Sequence, residues 1–345
     1  MPSAADEISA AIAAAGGAIP FSEYMQLALY GQGGFYTTGG RAGRRGGDFI
    51  TSPEVGPLFG TVIARALDAW WKELGSPSRF DVVECGAGPG TLARSILAAQ
   101  PECADAMHYV AVEISASQRA LHPHGVESRE TMPEGPITGV ILANELLDNL
   151  PFRLFVFDGS WMEAFVSQAS GGQFVEVLRK TEVVPSCLPQ TAPLGSRAPI
   201  QDAAVSWVRD CLSKIDHGRL LLFDYCSTST ADIALTPWRE WLRTYRDQGR
   251  GTHYLSDPGS QDITTQVMLD QLPTELTTST QADFLTQWGI DELVLEGSNY
   301  WETMKHAPDV VAMKMRSRSI EMVSLMDHDG LGSFCAMNIS VYSTD

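Results

Sequence analysis

In Phe80-Asp-Val-Val-Glu84-Cys-Gly86-Ala-Gly88-Pro-Gly90-Thr91 an apolar strand passes directly into three alternate glycines, with an acid two residues ahead of the first. A short apolar run suits a parallel strand buried on both faces. The glycines let the backbone turn sharply and approach a ligand with no Cβ in the way. Thr91 to Gln100 follows as a helix. The spacing is Gly-x-Gly-x-Gly, and Thr91 stands where the dinucleotide fingerprint G-x-G-x-x-G has its third glycine, which counts against NAD or FAD. A site for S-adenosylmethionine (SAM) has no pyrophosphate to cradle. An acid at the strand's end can then take the ammonium of the methionine part, and Glu84 is the candidate.

A second apolar strand, Met107-His-Tyr-Val-Ala-Val-Glu113, also ends in an acid. Glu113 lies in the window about 20 residues beyond the glycines where a carboxylate accepts hydrogen bonds from ribose hydroxyls. Strand, glycine loop, helix, strand and acid in that order favour a nucleoside cofactor. The competing reading is a tight strand-to-helix turn followed by a solvated Glu113.

The chain's 345 residues suffice for one large domain or two. With 44% hydrophobic and 19% charged residues its composition is that of an ordinary soluble protein. No apolar run approaches the roughly 20 residues of a spanning helix, and the N-terminus lacks the basic start and apolar core of a signal peptide. Asp6 and Glu7 oppose an Arg-rich transit peptide, so the expected location is the cytoplasm. A net charge of −18 excludes general affinity for nucleic acid and favours basic or neutral partners. The six cysteines are scattered, with no C-x-x-C, and read as reduced thiols. His122 and His124 have no Cys or acid cluster at ligand spacing, so they read as exposed loop histidines and no metal is expected.

Along the chain, Ala4 to Ala15 reads as a helix ending at Gly16-Gly17, and Pro20-Phe21-Ser22 opens another, with Ser22 as N-cap and Phe21, Met25 and Leu29 on one face. From Gly31 to Gly47 a glycine-rich loop carries Arg41, Arg44 and Arg45, either a flexible loop or else a mobile lid or a contact for an acidic partner. Ser52 as N-cap, Pro53 and Glu54 start a long helix whose stripe from Leu58 to Leu74 must lie on a core. Two further buried strands end in polar residues: Gly139 to Asn144, followed by Glu145 and Asp148, and Gly218 to Asp224, followed by Tyr225. In open parallel sheets ligands bind at the carboxyl ends of the strands, which brings these groups beside the cofactor. For each acid the alternative is a helix cap or a solvated carboxylate, and Glu145 in particular could cap the following turn. Phe152 to Lys180 alternates like antiparallel strands with a turn at Ser170-Gly171-Gly172, Thr181 to Pro199 reads as loop, and the aromatic Thr236 to Ile263 stretch as a substrate-side lobe. Gly332 to Val341 is a final strand.

These residues resemble the MidA-like (DUF185) methyltransferases, whose mitochondrial members assist assembly of respiratory complex I. The likeness runs from Phe21 to the C-terminus. It rests on Met25-Gln-Leu-Ala-Leu-Tyr30 with Gly34-Phe35-Tyr36, Gly47-Asp48-Phe49-Ile-Thr51-Ser52-Pro53-Glu54 with Phe59-Gly60, the Glu84 to Leu92 loop, Val112-Glu113, Ala143-Asn144-Glu145 to Pro151, Asp224-Tyr225 and Pro258-Gly259-Ser-Gln261-Asp262-Ile263-Thr264. Cys85, Ala87 and Pro89 depart from the family's usual loop, and Met268 replaces an acid. The resemblance implies an α/β class I SAM-dependent methyltransferase fold, Rossmann-like, with an added substrate-side lobe. It also implies methylation of an arginine on a complex I subunit.

The expected division is 1–55 for N-terminal helices and a cofactor-covering loop, 56–151 for the SAM-binding core, 152–200 for an inserted β lobe, 201–226 for core, 227–280 for a substrate-side insertion and 281–345 for the rest of the core. Glu84, Gly86, Gly88, Gly90, Glu113, Asn144 and Asp48 are the expected cofactor residues, Glu145 and Asp148 the expected catalytic carboxylates, and Asp224, Tyr225, Asp262 and Thr264 the expected acceptor contacts. Carboxylates there suit a cationic acceptor, whose planar fork of donors they can grip. A small-metabolite methyltransferase and a catalytically silent SAM-binding assembly factor are the alternatives.

Overall fold

The computed structural model describes residues 2–39, 51–246 and 249–342. The Arg41 to Arg45 cluster and Asp48 lie outside them. Seven strands form the central sheet: β1 (Phe80–Cys85), β2 (Met107–Val112), β3 (Glu127–Arg129), β4 (Ile137–Asn144), β5 (Ile215–Asp224), β6 (Thr277–Thr280) and β7 (Cys335–Tyr342). Their order is β3-β2-β1-β4-β5-β7-β6, and β7 alone runs antiparallel to its neighbours. The strand order reverses between β1 and β4, the topological switch point at which open α/β sheets bind ligands.

The strands are apolar because both faces are covered. Phe80 and Val82 of β1 join one hydrophobic cluster and Val83 and Cys85 the opposite one. Helix α1 (Ala4–Ala14) and helix α2 (Phe21–Tyr30) precede the sheet. Against the first face pack α3 (Pro57–Glu73) and α4 (Thr91–Ala98), and against the second α5 (Asp202–Lys214). The first face also receives α6 (Gln281–Gln287), α7 (Ile290–Met304) and α8 (Val310–Leu325), three helices that the motif pattern did not reveal.

The added lobe is an antiparallel sheet in which Trp161–Gln168 pairs with Phe174–Lys180 on one edge and with Arg153–Phe157 and Ala18–Pro20 on the other. Arg197–Ile200 completes it beside Arg153–Phe157. The stretch to Pro199, expected to be loop, thus ends in an edge strand, a position that tolerates proline. A smaller sheet pairs Leu242–Arg246 with Asp262–Thr265. Helices α1 and α2, the lobe sheet and this smaller sheet share one core, with Ile8, Phe21, Tyr24, Phe152, Trp241 and Met268 all buried in it.

Several boundaries shift. The first residue before α2 is Pro20, so Ser22 lies inside the helix and does not cap it. Ser52 is likewise no cap: it opens the single turn Ser52–Val55, and its hydroxyl donates to Gln281 Oε1 at 2.7 Å. The long helix restarts at Pro57, where Glu321 of α8 accepts the Leu58 N–H at 2.8 Å and supplies the capping acceptor from a distant part of the chain. The 227–280 segment is not wholly an insertion, because Thr277–Thr280 is β6 of the central sheet.

Candidate active site

The glycine loop sits at the carboxyl end of β1, with Gly86, Gly88 and Gly90 at φ of 70°, 52° and 77°. Side chains rarely adopt this left-handed conformation. Gly86 and Ala87 N–H both reach back to Val112 O at 3.0 and 3.1 Å, and Gly90 N–H closes on Ala87 O at 2.9 Å. Among the described residues, no atom beyond its two chain neighbours lies within 4 Å of where a Gly88 Cβ would be. The loop therefore presents bare backbone to open space at the switch point, a cradle that suits a nucleoside cofactor.

Glu113, just past β2, turns its carboxylate onto this loop. Oε2 accepts the Gly88 N–H at 3.0 Å and Oε1 the Ser115 N–H at 2.8 Å. Each oxygen keeps acceptor capacity for a hydroxyl. Glu84 is placed differently from a group open on the cleft. It is 5% exposed, and its Oε2 accepts the Tyr109 hydroxyl at 2.7 Å. Burial pushes its carboxyl up to about 7 against the counteracting Tyr109 bond. His122, expected to be an exposed loop residue, has its Nε2 2.9 Å from Gly88 O and its Nδ1 2.8 Å from Ser128 Oγ. A histidine a few residues beyond a ribose-type acid carries no signal of this kind in the sequence.

Across the switch point, Asn144 ends β4 and donates to Glu145 Oε1 at 3.1 Å, while its own buried Oδ1 has no partner among the described residues. Glu145 adopts φ 52°. The Tyr225 hydroxyl donates to its Oε2 at 2.9 Å. Burial pushes the Glu145 carboxyl up to about 7, and the Tyr225 and Asn144 bonds oppose the shift. The following turn, Leu147–Asn149, is capped by Asp224 and not by Glu145: Asp224 Oδ2 accepts the Leu147 and Asp148 N–H groups at 2.9 and 3.2 Å, and Oδ1 accepts the Tyr225 N–H at 2.9 Å. Asp224, expected to contact the acceptor, thus spends both oxygens on the backbone.

Asp148 is 3% exposed; its Oδ2 accepts the Thr264 hydroxyl and its Oδ1 has no partner among the described residues. Burial, followed by the charge of Asp224, holds its carboxyl well above the usual range. Asp262 Oδ1 accepts from Tyr36 OH at 3.0 Å and from Asn149 Nδ2 at 3.0 Å, and burial pushes it up to about 6. The Pro258-Gly-Ser-Gln-Asp-Ile-Thr264 segment that carries Asp262 and Thr264 is tied to the preceding turn by Gln261. Gln261 accepts from Thr252 N at 3.0 Å and donates to His253 O at 3.0 Å and Ser256 O at 2.9 Å. The structure thus brings Glu145, Asp148, Asp224, Tyr225, Asp262 and Thr264 into one region. Among the described residues no Lys, Arg or His side chain bonds to any of the four acids, and no group of three or more His, Cys, Asp or Glu could hold a metal.

Comparison with known proteins gives this arrangement a family. The profile of the family described as "Putative S-adenosyl-L-methionine-dependent methyltransferase" matches residues 62–286, and the chain belongs to that family. It is 31% identical over 297 residues to a Drosophila melanogaster protein named "Protein arginine methyltransferase NDUFAF7 homolog, mitochondrial", a match that covers 73% of this chain and 65% of the fly protein's own length. A Danio rerio protein named "Protein arginine methyltransferase NDUFAF7, mitochondrial" is 27% identical over 325 residues, 80% of this chain and 74% of that one. A Burkholderia thailandensis crystal structure with bound S-adenosyl-homocysteine superposes with a TM-score of 0.83 at 27% identity, covering 98% of this chain and 92% of that one. The fold is the class I SAM-methyltransferase fold with an extra antiparallel lobe. Among the described residues, no helix is long and apolar enough to cross a membrane.

Proposed function

We propose that this family member is a SAM-dependent protein-arginine N-methyltransferase. The acceptor follows from one observation: Glu145, Asp148 and Asp262 are gathered at the carboxyl edge of the sheet, and among the described residues they have no bonded cation and Asp148 Oδ1, though buried, has no partner. Buried carboxyls left in this state are costly unless a cation or a proton joins them. A guanidinium supplies the charge and a planar set of donors that fits paired carboxylates. The names of the fly and zebrafish relatives support the same acceptor class.

In this reading Gly86, Gly88 and Gly90 bring backbone close to the methionine and sugar portions of the cofactor, Glu113 accepts from the ribose hydroxyls, and Asn144 Oδ1 takes a donor. Glu84 supports the loop from beneath through Tyr109. When bound, SAM supplies a sulfonium methyl for in-line displacement. Glu145 and Asp148 orient the guanidinium so that one nitrogen faces the methyl, and the fixed geometry is where most of the rate gain arises. Transfer leaves the methylated guanidinium with one proton to lose, and the Glu145 carboxyl, whose affinity for a proton is raised to near neutrality, accepts it.

The test is incubation with methyl-labelled SAM and a lysate of the source organism, followed by separation of macromolecules from metabolites and hydrolysis of the labelled protein. Label in methylarginine is expected, with a complex I subunit the first protein to examine. Label confined to small molecules would sink the protein-arginine reading, and no label in either fraction would favour a silent SAM-binding role.

A further inference from the structure

Gly88 is held from both sides of its residue. Its N–H donates to Glu113 Oε2 at 3.0 Å, and its carbonyl faces His122 Nε2 at 2.9 Å. A carbonyl can only accept, so Nε2 must carry the hydrogen, and the neutral ring then leaves Nδ1 to accept the Ser128 hydroxyl at 2.8 Å. Ser128 lies on β3, paired with β2, so the imidazole ties the glycine loop to the far edge of the sheet. The same turn presses on the loop's end. A Cβ on Gly90 would meet Pro123 Cδ at 2.9 Å and His122 Cδ2 at 3.3 Å. The Arg94 guanidinium in α4 donates to Leu121 O at 3.0 Å and fixes the turn to the helix that the loop feeds.

We infer that His122 is a positioning residue for the cofactor loop, an inference that rests on the SAM-binding reading above. Two anchors on Gly88 fix the flanking peptide planes, and the plane that carries the N–H determines how the Glu113 carboxylate is turned. Without the Nε2–H donor the Gly88 carbonyl loses its partner and the loop can rotate, which relaxes Glu113 as well. The imidazole spends both nitrogens on Gly88 O and Ser128 Oγ. Its removal therefore acts on cofactor affinity and leaves the chemical step intact once the cofactor is saturating.

The experiment titrates S-adenosyl-homocysteine by calorimetry into the full-length wild type and into His122→Phe, His122→Gln and Ser128→Ala, with SAM kinetics on each. His122→Phe keeps a ring against Gly90 and removes the donor. It should weaken binding about tenfold and raise KM for SAM equally, with kcat at saturating SAM within about twofold of wild type. His122→Gln restores an N–H donor and should stay within about threefold of wild type, and Ser128→Ala, which frees the tautomer, should lose about twofold. Wild-type affinity in His122→Phe overturns the inference, and so does a His122→Gln variant as weak as His122→Phe, because shape and not the donor would then matter. A wild-type protein that binds no S-adenosyl-homocysteine overturns the cofactor reading itself, a separate outcome from either of these.

Discussion

Glu145 stands at φ 52°, in the left-handed region that non-glycine residues enter at a cost and that clusters at functional sites. The conformation turns its carboxyl toward the Tyr225 hydroxyl and the Asn144 amide. Since Asp224 caps the following turn, the cap explanation for Glu145 fails and its strained position needs another use. Glu145→Gln should retain S-adenosyl-homocysteine binding and lower turnover by orders of magnitude. In the wild type, kcat/KM should rise with pH along a limb near 7, because the free enzyme's carboxyl must ionise to grip a cation. That limb should vanish in the variant. Undiminished transfer by Glu145→Gln would remove it from catalysis and leave Asp148 and Asp262 as the residues to test. On the cofactor side, no other described residue fills the space where a Gly88 side chain would project, and its φ is one that residues with side chains resist. Gly88→Val and Glu113→Ala should both lose measurable S-adenosyl-homocysteine affinity by titration calorimetry, and wild-type binding in either would refute the assignment of that residue.

The start of α3 depends on a residue 263 positions away. Glu321 in α8 accepts the Leu58 N–H, and Ser317 donates to its other oxygen. A carboxylate also suits the positive end of a helix. Removing it leaves a buried N–H unpaired, so Glu321→Ala should cost about 1–3 kcal/mol in urea denaturation. A Cβ on Gly56 would come within 2.2 Å of Glu321 Cδ. Gly56→Ala should therefore destabilise the wild type and cost much less in the Glu321→Ala background, a coupling that a double-mutant cycle measures directly. Additive costs would show that the two positions do not interact. The same elements explain what the sequence left unread. The parallel strands β1, β2, β4 and β5 were legible because full burial makes each a compact apolar run. Strand β6 is Thr-Thr-Ser-Thr, a polar edge with no alternation to notice. Helix α8 exposes Val310, Met313, Ile320 and Val323 at 54–72% and buries Glu321, so its apolar residues do not mark its core face.

At the level of the whole molecule, the lobe could not be assembled from sequence because its core joins segments separated by more than a hundred residues. Ile19 pairs with Val166, and the Tyr24 hydroxyl reaches Tyr254 O at 2.8 Å. The candidate site was legible at the strand ends, where position alone locates a residue, but not in its division of labour. Asp224 and Glu84 prove to be held by their own scaffold, and His122 joins the loop from a turn without a motif. What the fold does with its buried acids is visible in its stability. Glu145, Asp148, Asp224 and Asp262 all have carboxyls raised above their ordinary values, chiefly by burial, to about 7 for Glu145 and about 6 for Asp262. A raised carboxyl keeps its proton in the folded state over a range where the unfolded chain has already released it. The folded state then binds more protons, so stability falls as pH rises through that range. For Glu145 the range runs from the ordinary 4.5 to about 7, and for Asp262 from 3.8 to about 6, with no further change from either group outside it. Urea denaturation of the ligand-free protein between pH 4 and pH 8 should accordingly show a smaller loss of stability with rising pH in Glu145→Gln and Asp262→Asn than in the wild type. The offset between proteins depends on local repacking, but the slope reports the titrating group. Parallel slopes for wild type and both variants would mean that these carboxyls ionise as freely in the folded protein as in the unfolded chain. A buried site held ready for a cation would then lose its physical basis.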